Sequence, residues 1–78
     1  MQKEIKELRE EVNMVDKELV AVLKKRFLVV KKMIEVKDKE KVNVEDLDRE
    51  KEILSKFDNK CIKEIYGVMF KHAKNRSL

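Results

Sequence analysis

The sequence has no proline, one glycine, one cysteine and one histidine among 78 residues. A lone Cys61 excludes an internal disulfide, and no Cys/His set stands at the spacing of metal ligands, so neither staple is available to a chain this short. No run of apolar residues is long enough to cross a membrane. The start Met1-Gln2-Lys3-Glu4 lacks the apolar core of a signal peptide, so the expected compartment is the cytoplasm. His72 and Cys61 have no Ser, Asp or second His placed to make a nucleophile–base pair, which leaves a solvated imidazole and a half-buried thiol as their expected states.

What the chain does have is charge and apolar periodicity. Charged residues make up 46% and hydrophobic residues 42% of the sequence, and the strict period of the apolar positions favours long amphipathic helices over disorder. The net charge of +4 is spread along the chain, with Lys3, Lys6, Lys17, Lys39, Lys41 and Lys51 alternating with Glu and Asp. Nucleic-acid binders concentrate Lys and Arg on one face, so this pattern reads as a salt-bridged, solvated surface.

Apolar residues at 5, 8, 12, 15, 19 and 22 step by three and four and continue through Val29, Val30, Met33, Ile34 and Val36. This spacing predicts one helix over about residues 2–40, some 55 Å long at 1.5 Å per residue. Such a helix is too long for 78 residues to cover, so a partner surface is expected. Asn43 is the expected cap of a second helix over about 45–57, striped by Leu47, Ile53, Leu54 and Phe57. Asp58-Asn59 forms a turn and cap before a third helix carrying Ile62, Ile65, Tyr66, Met69, Phe70 and Ala73. Met14, Met33, Met69, Tyr66 and Phe70 are expected as core. The predicted class is all-α: one domain over 1–78, three helices in the order long, short, medium, associating as an intertwined homodimer.

Two charges resist explanation by packing. Arg26 interrupts the seam where a buried residue is due, and Glu50 falls inside the stripe 47, 50, 54, 57. Each costs several kcal/mol if buried unpaired, and the plainest reading is that they pair with each other. That reading leaves Lys37, Arg49 and Arg9 idle. Lys37 lies eleven residues after Arg26, about 20° past three turns and roughly 16 Å along the axis, so the two cations share a helix face and can close on a ligand. Asp46, Arg49 and Glu50 at i, i+3, i+4 add two carboxylates and a third cation on one side of the next helix. The set suits a small anion that bears hydroxyls. Arg9, about 25 Å from Arg26 along the axis, reaches such a ligand only from a second, antiparallel chain.

The stretch Leu8-Arg9-Glu10-Glu11-Val12, then Val15-Asp16, Leu19, Lys25-Arg26, Lys37 and Asp46-Leu47-Asp48-Arg49-Glu50 resembles the all-helical chorismate mutases of the AroQ class over about residues 5–54. The resemblance implies two chains interlocked through their first helices. It also implies two sites that convert chorismate to prephenate by an intramolecular [3,3] rearrangement in aromatic amino-acid biosynthesis, with no cofactor and no acid, base or covalent intermediate. By resemblance, Arg26 holds the ring carboxylate, while Lys37 and the partner's Arg9 hold the enolpyruvyl carboxylate. Lys37 also donates to the ether oxygen, and Glu50 and the Asp46 backbone take the ring hydroxyl beside Arg49. The end of the chain departs from the pattern. Ile65-Tyr66 stands for the family's Ile-Phe, Ala73 for a Ser or Asn, and Ser77 for the Gln or Glu that faces the ether oxygen, which implies a weakened mutase or one that recruits Asn75 or Arg76. Helical spacing places Ser77 on the face that closes the site.

A helical interaction module, with internal charges setting the register of a coiled coil, is the competing reading, and a small basic nucleic-acid binder is a weaker one. A coiled-coil seam has no use for Asp46, Arg49 and Glu50 together, which favours the enzyme.

Overall fold

The apolar three–four series folds as expected into one helix. The computed structural model describes residues 1–78, and α1 runs from Gln2 to Lys39 along a molecule whose longest dimension is 57 Å. The helix stops because Lys41 takes a left-handed conformation (φ 57°). The Lys41 N–H then donates to the Asp38 carbonyl (3.2 Å) and the Val42 N–H to the Lys37 carbonyl (2.8 Å), the paired closure of a Schellman turn.

The second helix, α2, spans Leu47–Leu54 and is shorter than the periodicity suggested at both ends. Its cap is Asp46, whose carboxylate accepts from the Arg49 N–H at 3.0 Å; Asn43, the expected cap, instead accepts from the Glu45 N–H at 3.1 Å and folds the loop on itself. At the far end the Lys56 and Phe57 N–H groups donate to the Ile53 and Leu54 carbonyls, and this tight turn takes Phe57 off the helix. Phe57 nevertheless packs on Tyr66, ring centroids 4.7 Å apart. Asn59 caps α3 (Lys60–Lys74) as expected, accepting from the Ile62 N–H at 3.0 Å.

The three helices meet only at the C-terminal end of α1, where Ile34 and Met69 are the two buried residues. Tyr66 and Phe70 sit beside them, half-buried and edge-on to each other. Met14 and Met33, expected as core, are exposed in the single chain, as are Ile62 and Ile65 of the α3 stripe. Upstream the seam of α1 is bare: Leu8 is 58%, Val15 59% and Val22 60% exposed. Such a continuous apolar strip is unusual on a monomer. No helix is long and apolar enough to cross a membrane.

Candidate active site

Where α1 ends, its last turns face α2 and the end of α3 across a cavity of about 310 Å³, at the small end of the range for ligand sites. Arg26 and Lys37 line it from α1, Asp46, Arg49 and Glu50 from α2 and its cap, and Phe70, Ala73 and Lys74 from α3. Six residues picked out in the sequence therefore converge: Arg26, Lys37, Asp46, Arg49, Glu50 and Ala73.

Arg26 is half-buried and makes no pair with Glu50. Its guanidinium lies over the Tyr66 ring, 5.2 Å from the centroid, and Nη1 is 4.0 Å from Met69 Sδ. These contacts orient the group without neutralising it. Lys37, also half-buried, donates from Nζ to the Val44 carbonyl at 3.2 Å, which ties the end of α1 to the loop that caps α2. Neither cation has a carboxylate partner: the chain's ion pairs are Arg49–Glu52, Lys74–Glu45 and Arg76–Asp38. Glu50, half-buried in the same cavity, is likewise free of an ion pair. The cavity thus offers two oriented positive groups and an acceptor, with no proton-transfer pair among them. No group of three or more His, Cys, Asp or Glu side chains is placed to hold a metal ion.

Two expected residues stand apart. Arg9 is exposed, four turns or more up α1 from the cavity. Ser77 is not on the helix at all, which corrects the expectation that it closes the site. α3 ends at Lys74 and Arg76 turns left-handed (φ 59°), so the Arg76 and Ser77 N–H groups donate back to the Ala73 and His72 carbonyls in a second Schellman turn. That reversal carries Ser77 to His72, with Oγ 2.8 Å from Nδ1. Asn75 and Arg76 do not line the cavity either. Asn75 is the helix C-cap, and Arg76 forms a two-pronged pair with Asp38, both distances 2.7 Å. That pair holds the Asp38 carboxyl below its usual range, the hydrogen bond from Arg76 being the main cause. The thiol of Cys61 is exposed rather than half-buried.

Sequence reasoning missed Glu45 and Lys74. Both line the cavity and are joined at 2.6 Å, a contact that raises the Lys74 ammonium above its usual value, first through the hydrogen bond to Glu45 and then through its charge. Lys74 follows Ala73 directly, but a lysine in the last turn of a helix reads as a partner of the helix dipole.

The fold and site define a class: an all-helical protein whose three helices enclose a cavity lined by four cations and three carboxylates. The description of one family, chorismate mutase type II, matches residues 8–77. The chain is also 36% identical over 67 residues to a bifunctional chorismate mutase/prephenate dehydratase of Aquifex aeolicus (strain VF5), a match covering 86% of this chain and 18% of that protein. No solved structure matches it significantly. The chain belongs to the chorismate mutase type II family.

Proposed function

We propose that the cavity binds chorismate and isomerises it to prephenate, and that the working unit is a homodimer, in a reducing, cytoplasmic setting compatible with the exposed thiol of Cys61. The observation that carries the reading is the pair Arg26 and Lys37, half-buried on one helix face, lining one cavity and lacking any carboxylate of the protein. Chorismate carries two carboxylates and an ether oxygen on which negative charge grows as the reaction proceeds. In the rearrangement the ether C–O bond breaks while a C–C bond forms between the enolpyruvyl methylene and the ring, six electrons moving in a closed cycle. No proton or group leaves, so the protein's part is to hold the reactive chair and to stabilise charge.

Arg26 takes the ring carboxylate with its two-pronged group, already fixed over Tyr66. Lys37 takes the enolpyruvyl carboxylate and donates to the ether oxygen. Glu50 accepts from the ring hydroxyl and the Asp46 backbone N–H donates to it, with Arg49 alongside. Arg9 of the partner chain completes the enolpyruvyl carboxylate site, since within one chain it stands about 25 Å from Arg26. The bare seam through Leu8, Val15 and Val22 supports the pairing, because a second long helix would cover it. A non-catalytic helical module would explain the seam but would leave the α2 charges in the cavity without a task. Loss of chorismate absorbance with formation of prephenate by the purified protein tests the reading, and a folded protein that leaves chorismate unchanged would refute it.

A further inference from the structure

The three walls of the cavity are unequal. α1 gives Arg26 and Lys37, α2 gives Arg49 and Glu50, and α3 gives Phe70 and Ala73, which offer no donor, and then Lys74. The donors that the chain's end was expected to supply are elsewhere: Ser77 is bound to His72 and Arg76 to Asp38. Lys74 is thus the sole hydrogen-bond donor among the α3 side chains lining the cavity, and its ammonium already holds a carboxylate, that of Glu45, at 2.6 Å. The pair is open to solvent, with 62% of the Lys74 side chain and 29% of that of Glu45 exposed, so it is weak and exchangeable.

We propose that Lys74 is a substrate-binding residue whose ammonium exchanges Glu45 for a carboxylate of the bound dianion, with Glu45 the internal competitor for that position. The inference rests on the proposed chorismate reading. Formal charge supports it. Within one chain the lining carries four cations and three carboxylates, so a dianion shifts it to about one negative charge, or two without Lys74 and none without Glu45; the partner chain's Arg9 would add one positive charge to each count and leave their order unchanged. The two partners of one ion pair should therefore act on affinity in opposite directions. A pair that merely braces the fold cannot do this, since losing either member would break the same contact.

The experiment is a kinetic comparison of Lys74→Ala, Lys74→Arg and Glu45→Gln in the full chain with chorismate, with circular dichroism to confirm helicity. Lys74→Ala should raise KM about two- to fivefold, the worth of one solvent-exposed charge contact, with kcat changed less. Glu45→Gln should lower KM at least about twofold, and Lys74→Arg should stay within about twofold of the unaltered protein. KM shifts in the same direction for Lys74→Ala and Glu45→Gln, a Lys74→Ala effect below about twofold, or equal losses for Ala and Arg would each overturn the role of Lys74 while leaving the mutase reading intact. An unaltered protein that does not turn over chorismate removes both.

Discussion

Replacing Arg26 with Ala separates a ligand-binding cation from a structural one, and the structure sets both magnitudes. The side chain is half-buried but has no carboxylate partner, so its removal strands no opposite charge. What is lost inside the protein is the stacking over Tyr66 and the contact with Met69 Sδ. Together these are worth about 1 kcal/mol, a fall of roughly 4–8 °C in Tm for a domain of this size. What is lost toward chorismate is a charged, two-pronged hold on a carboxylate, expected to cost at least about 10²-fold in kcat/KM, or ~2.7 kcal/mol. Initial rates of chorismate loss, measured beside circular dichroism melting, give both quantities on one sample. Arg26→Lys should fall between the two, because an ammonium keeps the charge but not the fork. A melting collapse that accounts for the lost rate, or a rate loss below about tenfold in a folded protein, would refute the reasoning and make Arg26 a packing residue.

Glu50→Ala should be milder than Arg26→Ala, below about tenfold in kcat/KM, because a ring hydroxyl gathers little of the developing charge. Light scattering at micromolar concentration should report two chains, and Arg9→Ala should lower kcat/KM without changing that mass; a stable folded monomer would remove the role of Arg9. Ser77→Gln should leave the rate within about twofold, since the reversal at Arg76 points position 77 toward His72, and a rise of tenfold would mean that the turn opens in solution. The Asp38–Arg76 clip should respond to acid. Asp38 is held below its ordinary value of 3.8, so the clip adds stability at and above that pH and loses it progressively as pH falls through the lowered value. Asp38→Asn should abolish this part of the acid dependence of melting, and added salt should weaken it.

The long helix and its solvent-facing seam were legible because thirty-odd residues repeat one spacing, and no local choice competes with it. The cap of α2 was not. Asn43 and Asp46 are both capping types with acidic residues after them, and the choice between them fell to a loop in which Asn43 bonds Glu45. Helical geometry placed Arg26 with Lys37 on one helix and Asp46 with Arg49 and Glu50 on another, and kept Arg9 apart, but spacing along a helix does not bring two helices together, and that part came with the fold. The neighbours of Arg26 were not legible: an aromatic face and a sulfur orient it, where the alternative reading had put the carboxylate of Glu50. Ser77 was misplaced because periodicity was carried through Arg76, and nothing in the residue type marks an arginine as the left-handed end of a helix, a position that usually falls to glycine. Lys74 escaped notice because its meaning depends on the loop of Glu45 folding against it, a contact across some thirty residues.

The first half of α1 touches nothing else in its own chain, so only backbone hydrogen bonds and intrinsic propensity keep it helical there, and these are marginal for a lone helix in water. If a second copy covers it, folding and association are one equilibrium, and the protein has no stability that can be quoted without a protomer concentration. Each tenfold dilution would then take about 1.4 kcal/mol from every mole of dimer. Dilution would lower catalysis by loosening the helix that carries Arg9 as well as by parting the chains, so the concentration of the protein itself would set the fraction of sites able to work.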